Sequence, residues 1–208
     1  MIVDGGEIPE KIPEAFRINA IEIQELHENI PYKMWGGISV RELIKNNFDK
    51  SVLDTYDTLV PYAYKCDLAR LCVLYVEGGL YVDLGVKLMR EFKIPENIEF
   101  CVFRDLYQET NWFMMQNGLI FSEERRPELL HSINWIVQNC MNRYYGLNSL
   151  YPTGPVQLGR AVALVAATSG PGGCSAQWIG ECRAVTPSSV NKNMIYTDPF
   201  GNLTALRA

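Results

Sequence analysis

The chain has 208 residues, 48% of them hydrophobic and 21% charged, the balance of a globular protein with one sizeable core, so a single domain over residues 1–208 is expected. A formal net charge of −5 offers none of the clustered basic surface that nucleic acid requires, so nucleic acid is not an expected partner. No window approaches the roughly 18 apolar residues of a membrane span, and "MIVDGGEIPEK" lacks the basic start and apolar core of a secretion signal, which makes the cytoplasm the expected compartment.

Side-chain inventory removes further classes. The cysteines at 66, 72, 101, 140, 174 and 182 show no C-x-x-C spacing, and most sit in apolar runs where a thiol packs as a small hydrophobe. They read as reduced and structural. His27 and His131 are the only histidines, too few for a His-rich zinc site, a Ser-His-Asp triad or a metal-dependent phosphoesterase.

Along the chain, Met1 to Val3 reads as a very short strand cut off by "DGG", and "PEAFRINAIEIQELHENI" as a helix ending before Pro31. "YKMW" reads as a second short strand, and "SVRELIKNNF" as a helix with Ser39 at its N-cap and Glu42 completing a capping box. "PYAYKCDLARLCVLYVEGG" is helical, opened by proline and closed by glycine, with Leu68, Leu71, Cys72 and Tyr75 on its apolar stripe. "LYVDLGVKLM" is extended, "IEFCVFRD" and "NWFMMQNGLIFS" are strands, and "RPELLHSINWIVQNCMNRYY" and "TGPVQLGRAVALVAATSG" are helices. The tail "AVTPSSVNKNMIYTDPFGNL" holds one or two strands. This alternation predicts an α/β sandwich with a mostly parallel central sheet, with Asp4 and Asp83 at the edge where such sheets bind ligands.

The chemistry concentrates in "KCDLARLCVLYVEGGLYVDLG". A double-glycine turn brings Asp83 to a strand tip, where a carboxylate can meet a magnesium or manganese ion on a diphosphate; a helix stop followed by a capped turn is the simpler alternative. Asp67 and Arg70, three apart on one helix, read either as an exposed ion pair worth about 0.3–0.5 kcal/mol or as a ribose-binding acid beside an anion-binding guanidinium. Asp105, after "IEFCVFRD", is a candidate for holding sugar hydroxyls or a residue of a strand-ending turn.

This stretch resembles the signature of glycosyltransferases with an Asp-x-Asp motif, specifically those of the family 32 type. Asp67, Arg70, Tyr75, Gly78, Gly79, Tyr81 and Asp83 stand in its register. "IVDGGEIPEK", "NIPYKMW", "NGLIFSEERRPELL" and "TGPVQLGRAV" are similar to further family segments in the same order. The resemblance implies a GT-A-like nucleotide-binding sandwich that moves a hexose from a nucleotide-diphosphate sugar to a hydroxyl of a glycan or lipid-linked acceptor, with retention of configuration. It implies donor-side positions at Val3, Asp67, Arg70, Tyr81 and Asp83, to which Asp105 is added from its place after a strand alone, a catalytic part for Asp83 and Asn117, an acceptor side at Gly154 and Pro155, and a bound Mn2+ or Mg2+. The family's habit further implies bacterial capsule or exopolysaccharide synthesis, with peripheral contact to the inner membrane through the acceptor.

The sequence departs from the signature at Gly85, which stands where the second Asp is expected, and no histidine follows His131 to serve as a late metal ligand. Three readings follow: Asp198 of "YTDPFG" supplies the missing ligand beside Asp83; Lys87, on the same side of an extended strand, offsets diphosphate charge without metal; or the chain is a degenerate, non-catalytic binding module. Tyr144, Tyr145, Tyr151 and Trp112 are candidates for stacking on acceptor sugars or for packing.

Overall fold

Proline and glycine punctuate the first half of the chain as helix chemistry requires. In the computed structural model, described over residues 12–106, 114–170, 176–184 and 193–207, Pro13 precedes α1 (Glu14–Leu26) and Pro61 precedes α4 (Tyr62–Glu77). Gly78 ends α4 at φ +64°, a left-handed turn in which only glycine is unstrained. Between them lie α2 (Gly37–Asn47) and α3 (Lys50–Thr58). Ser39 serves the α2 cap from inside the helix: its hydroxyl accepts the Gly36 N–H at 3.1 Å and donates to the Gly36 carbonyl at 3.0 Å, so the helix begins earlier than the Ser39 N-cap reading placed it. "YKMW" forms no strand; only Gly36 makes an isolated bridge. The strand expected at Met1–Val3, Asp4, Val3 as a donor residue, Trp112 and Cys174 lie outside the described residues.

The strands are β1 (Gly79–Val82), β2 (Val86–Leu88), β3 (Phe100–Asp105), β4 (Met115–Ser122), β5 (Gln177–Ala184), β6 (Met194–Thr197) and β7 (Leu203–Arg207), in one sheet of order β1-β4-β3-β5-β6-β7-β2. The sheet is mixed, which corrects the expectation of a mostly parallel one. Among the described pairings only β3 with β5 is parallel. The reason is connection length, since β6 and β7 are joined by a short turn at residues 198–202, and short connections make antiparallel neighbours.

"LYVDLGVKLM" is two strands rather than one. β1 and β2 end the strand order at opposite sides, yet only residues 83–85 connect them. A chain of that length spans at most about 14 Å between Val82 and Val86, so the sheet must curl until its two ends meet at Asp83. The Asp83 N–H donates to the Gly118 carbonyl of β4 at 2.8 Å, and the Val86 N–H to the Asp83 carbonyl at 2.9 Å.

Apolar side chains fill both faces. On one, Leu68, Leu71 and Leu74 of α4 pack with Tyr81, Phe100, Ile120 and residues of α5 (Pro127–Met141) and α6 (Pro155–Thr168). On the other, Val86, Leu88, Phe103 and Tyr196 pack with Ile23 and Leu26 of α1, the Phe103 and Tyr196 rings meeting edge-on at 5.2 Å. Cys66, Cys72, Cys101, Cys140 and Cys182 are free thiols; Cys72, Cys101 and Cys182 are buried, and burial pushes the Cys182 thiol up to about 12, so these three are packing groups.

Gly180 marks the tightest point of the sheet, because a Cβ there would lie 2.4 Å from the Thr197 carbonyl oxygen and 2.7 Å from the Phe103 ring. Gly180→Ala is expected to lose about 1–3 kcal/mol of stability in urea denaturation, whereas Gly85→Ala, with nothing within 4 Å, stays within about 0.5 kcal/mol of the parent.

Candidate functional site

Arg70 enters the protein interior from the middle of α4 and meets carboxylates from two directions. Its side chain is 7% exposed; Nη1 donates to Asp83 Oδ1 at 3.0 Å and to the Asn117 carbonyl at 2.7 Å, while Nη2 lies 3.4 Å from Asp67 Oδ1. Nε donates to the Cys66 carbonyl one turn back at 3.0 Å, and the guanidinium sits 4.9 Å from the centre of the Tyr81 ring. Burial works against this charge, but Tyr81, Asp83 and Asp67 together raise the Arg70 pKa above the ordinary guanidinium value. The exposed-ion-pair alternative for Asp67 and Arg70 is therefore ruled out.

Asp67 is fixed at both oxygens. Oδ1 accepts from Asn117 Nδ2 at 2.7 Å and Oδ2 from Thr153 Oγ1 at 2.9 Å. Burial raises its pKa, opposed by Arg70 and the hydrogen bonds from Thr153 and Asn117. Gly154, the N-cap of α6, permits this approach, since a Cβ there would stand 3.1 Å from Asp67 Oδ2. Pro155 opens α6 and is buried. The Thr-Gly-Pro turn thus meets Asp67 through Thr153, a residue to which the sequence pattern alone assigns no role.

Asp83 is the more open acid, its side chain 20% exposed. Oδ1 accepts from the Tyr81 hydroxyl at 2.5 Å as well as from Arg70. Oδ2 faces Arg207 of β7, whose Nη2 is 3.8 Å away. A cleft of about 580 Å3 runs along β1 and is lined by Trp35, Tyr81, Asp83 and Leu84 among others, a size suited to a small organic ligand.

Other expected residues lie elsewhere. Asp105 is buried at the end of β3 and accepts from Gln116 Nε2 at 2.6 Å, one residue before Asn117 but outside the Asp67–Asp83 network. Asp198 does not reach Asp83: it pairs with Arg90 at 2.9 Å and accepts from Asn202 in the β6–β7 turn, at the end of β7 opposite Arg207 and about 13 Å along the strand from it. Lys87 points to the face opposite Val86 and Leu88 and pairs with Glu22 at 2.8 Å, so it does not offset charge at Asp83. Tyr151 and Tyr144 line a second cavity of about 580 Å3 with Trp135 and Arg160, and Tyr145 is exposed.

The donor set among the described residues does not fit a protein-held divalent cation. Among the described residues no three His, Cys, Asp or Glu side chains converge, Gly85 supplies no ligand, and Asp83 already faces two guanidinium charges.

Residues 16–101 match the model of the glycosyltransferase sugar-binding region containing a DXD motif, a span that holds Asp67, Arg70, Tyr81 and Asp83. The chain is similar to glycosyltransferases. An uncharacterized glycosyltransferase of Acanthamoeba polyphaga mimivirus is 31% identical over 114 residues, covering 51% of this chain and 45% of that protein. Inositol phosphoceramide mannosyltransferase 3 of Schizosaccharomyces pombe is 27% identical over 154 residues, covering 74% of this chain and 40% of the relative. The chain spans less than half the length of these curated relatives. The solved structure of the PaToxG glycosyltransferase shares the fold, with a TM-score of 0.59 at 17% identity over 78% of this chain and 66% of that one.

Removing Arg70 leaves two acids without their buried cation. Arg70→Met is expected to cost about 3–5 kcal/mol at pH 7 by urea denaturation. Without the guanidinium the Asp67 pKa rises further, so the folded variant binds more protons than the unfolded chain. The deficit relative to the parent therefore grows as pH climbs above the parent's own raised Asp67 pKa, where the variant alone still holds the proton, and is smaller below it, which paired denaturation curves will read.

Proposed function

We propose that the chain is a glycosyltransferase that takes a hexose from a nucleotide-diphosphate sugar, with the Asp67–Arg70–Asp83 network at the tip of β1 as its donor site. One observation carries the reading: a strand-tip acid, locked by a buried guanidinium and a tyrosine hydroxyl, opens on a cleft within the segment that matches the sugar-binding region. Both oxygens of Asp67 and one of Asp83 are engaged inside the protein, which leaves Asp83 Oδ2 as the carboxylate edge available to a donor. Asn117 fixes Asp67 through its amide and Arg70 through its carbonyl, so it is a positioning residue here.

Sugar transfer breaks the bond between the anomeric carbon and the diphosphate oxygen, which keeps the electron pair. The acceptor hydroxyl oxygen forms the new bond and its proton leaves to a phosphate oxygen or solvent. Negative charge grows on the departing diphosphate, so the protein's task is to position the donor and stabilise that charge. No side-chain nucleophile is required, and retention of configuration belongs to this proposal. On this reading the acceptor, a hydroxyl of a glycan or lipid-linked sugar, belongs to the Gly154–Pro155 side; a relative named as a phosphoceramide mannosyltransferase favours a lipid-borne acceptor. No described helix is long and apolar enough to cross a membrane.

Gly85 favours a second reading, a module that binds nucleotide sugars without turnover. A panel of nucleotide sugars assayed for nucleotide release separates the two. Transfer activity predicts release from at least one donor, with kcat/KM lowered about 100-fold or more in Asp83→Ala while the circular dichroism spectrum is unchanged. Donor binding without release would assign the module, and parental turnover in Asp83→Ala would remove the site.

A further inference from the structure

We propose that the Arg207 guanidinium binds the diphosphate of the donor in the position a divalent cation would take, so that nucleoside-diphosphate binding by this chain needs no metal; the proposal rests on the glycosyltransferase reading above.

Asp67 and Asp83 bring two negative charges, and the buried Arg70 between them offsets one. A donor diphosphate arriving at that residue of negative charge would be repelled. Arg207 supplies the missing cation, with Nη2 3.8 Å from Asp83 Oδ2 and a side chain 38% exposed, open to solvent where Arg70 is closed. The Arg207–Asp83 separation is longer than a hydrogen bond, so this contact leaves the forked N–H donors of Arg207 unengaged by Asp83, in the planar geometry that suits phosphate oxygens.

The surroundings are shaped to hold that arginine. A Cβ at Gly118 would come within 3.0 Å of Asp83 Oδ2 and 3.4 Å of Arg207 Nη1, so the absence of a side chain on β4 gives both groups their place. Arg207 stands opposite Val86 in the β2–β7 register, which is what carries a residue so late in the chain to Asp83. On the other side, the turn at Gly85 contributes no carboxylate and has open space about its Cβ position. The site therefore lacks the second acid and presents a fixed cation instead. A divalent ion added there would meet one half-available carboxylate flanked by two guanidinium groups.

In the transfer step the pair from the broken glycosidic bond comes to rest on the diphosphate oxygen, the acceptor oxygen bonds to the anomeric carbon, and the acceptor proton leaves. Arg207 stabilises the added charge by charge-assisted hydrogen bonds and needs no metal for that part.

The test is equilibrium binding of UDP and GDP to the full chain by isothermal titration calorimetry, in EDTA and in excess Mn2+ or Mg2+. At least one nucleotide is expected to bind in EDTA within about threefold of its affinity with metal. Arg207→Ala should weaken that binding about tenfold or more in both buffers, while Arg207→Lys recovers part of it. Urea midpoints matching the parent show that the variants are folded, and Arg207→Lys keeps the test decisive should Arg207→Ala fail to fold. Binding lost in EDTA and restored by metal, or unchanged in Arg207→Ala, overturns the proposal while leaving the glycosyltransferase reading intact. Absence of binding by either nucleotide under every condition, with no release from any nucleotide sugar, overturns both.

Discussion

A guanidinium taken out of water must find anions, and in this protein Arg70 finds them on separate elements. Asp67 shares its helix, whereas Asp83 arrives from β1, and the Asn117 carbonyl comes from β4. Thr153, before α6, closes the ring through Asp67. Four elements are thereby pinned to one another by polar contacts whose partial loss would strand charge in the interior, which makes the arrangement specific as well as stable. The same requirement fixes Asp83 at the strand tip, on the lining of the cleft, with one oxygen held and the other facing Arg207.

The sheet makes that convergence geometrically achievable. Residues 83–85 join strands that stand at opposite ends of the strand order, so the curl of the sheet, rather than any local motif, decides which late-chain residue meets the acid. A parallel sheet of the expected kind would have separated its strands by helical crossovers. The short hairpin that joins β6 to β7 instead places the last described strand beside β2.

What the sequence discloses and what it hides divide along the same line. Proline at 61 and glycine at 78 bound α4 legibly, and the glycine-tyrosine-aspartate run after it announces Asp83, because caps and turns are local chemistry. Asp67 and Arg70 were legible as a pair but not as a buried one: their neighbours in sequence are apolar, and the counter-charge that permits burial lies on β1. The nine residues of α3 escaped because the segment is short and polar on average, its inward face being only Val52, Thr55 and Tyr56, and β5 because "QWIGECRA" mixes polar and apolar residues while its strand neighbours are the distant β3 and β6. Thr153 could have been found, standing one residue before the glycine and proline already singled out. Arg207 could not. Its relation to Asp83 exists only through strand register, for which a single sequence carries no signal at that distance, and the same ignorance lent Asp198 and Lys87 a place beside Asp83 that register denies them.

That register is also a question of odd and even. Along β7, Leu206 lies opposite Lys87 and Arg207 opposite Val86. Sliding the strand by one position would turn an isobutyl group towards Asp83 and send the guanidinium to the far side of the pleat. A chain threaded out of step would thus hold an acid facing hydrocarbon, so the electrostatics of the pocket themselves discriminate between the correct threading and its nearest misfolded rival.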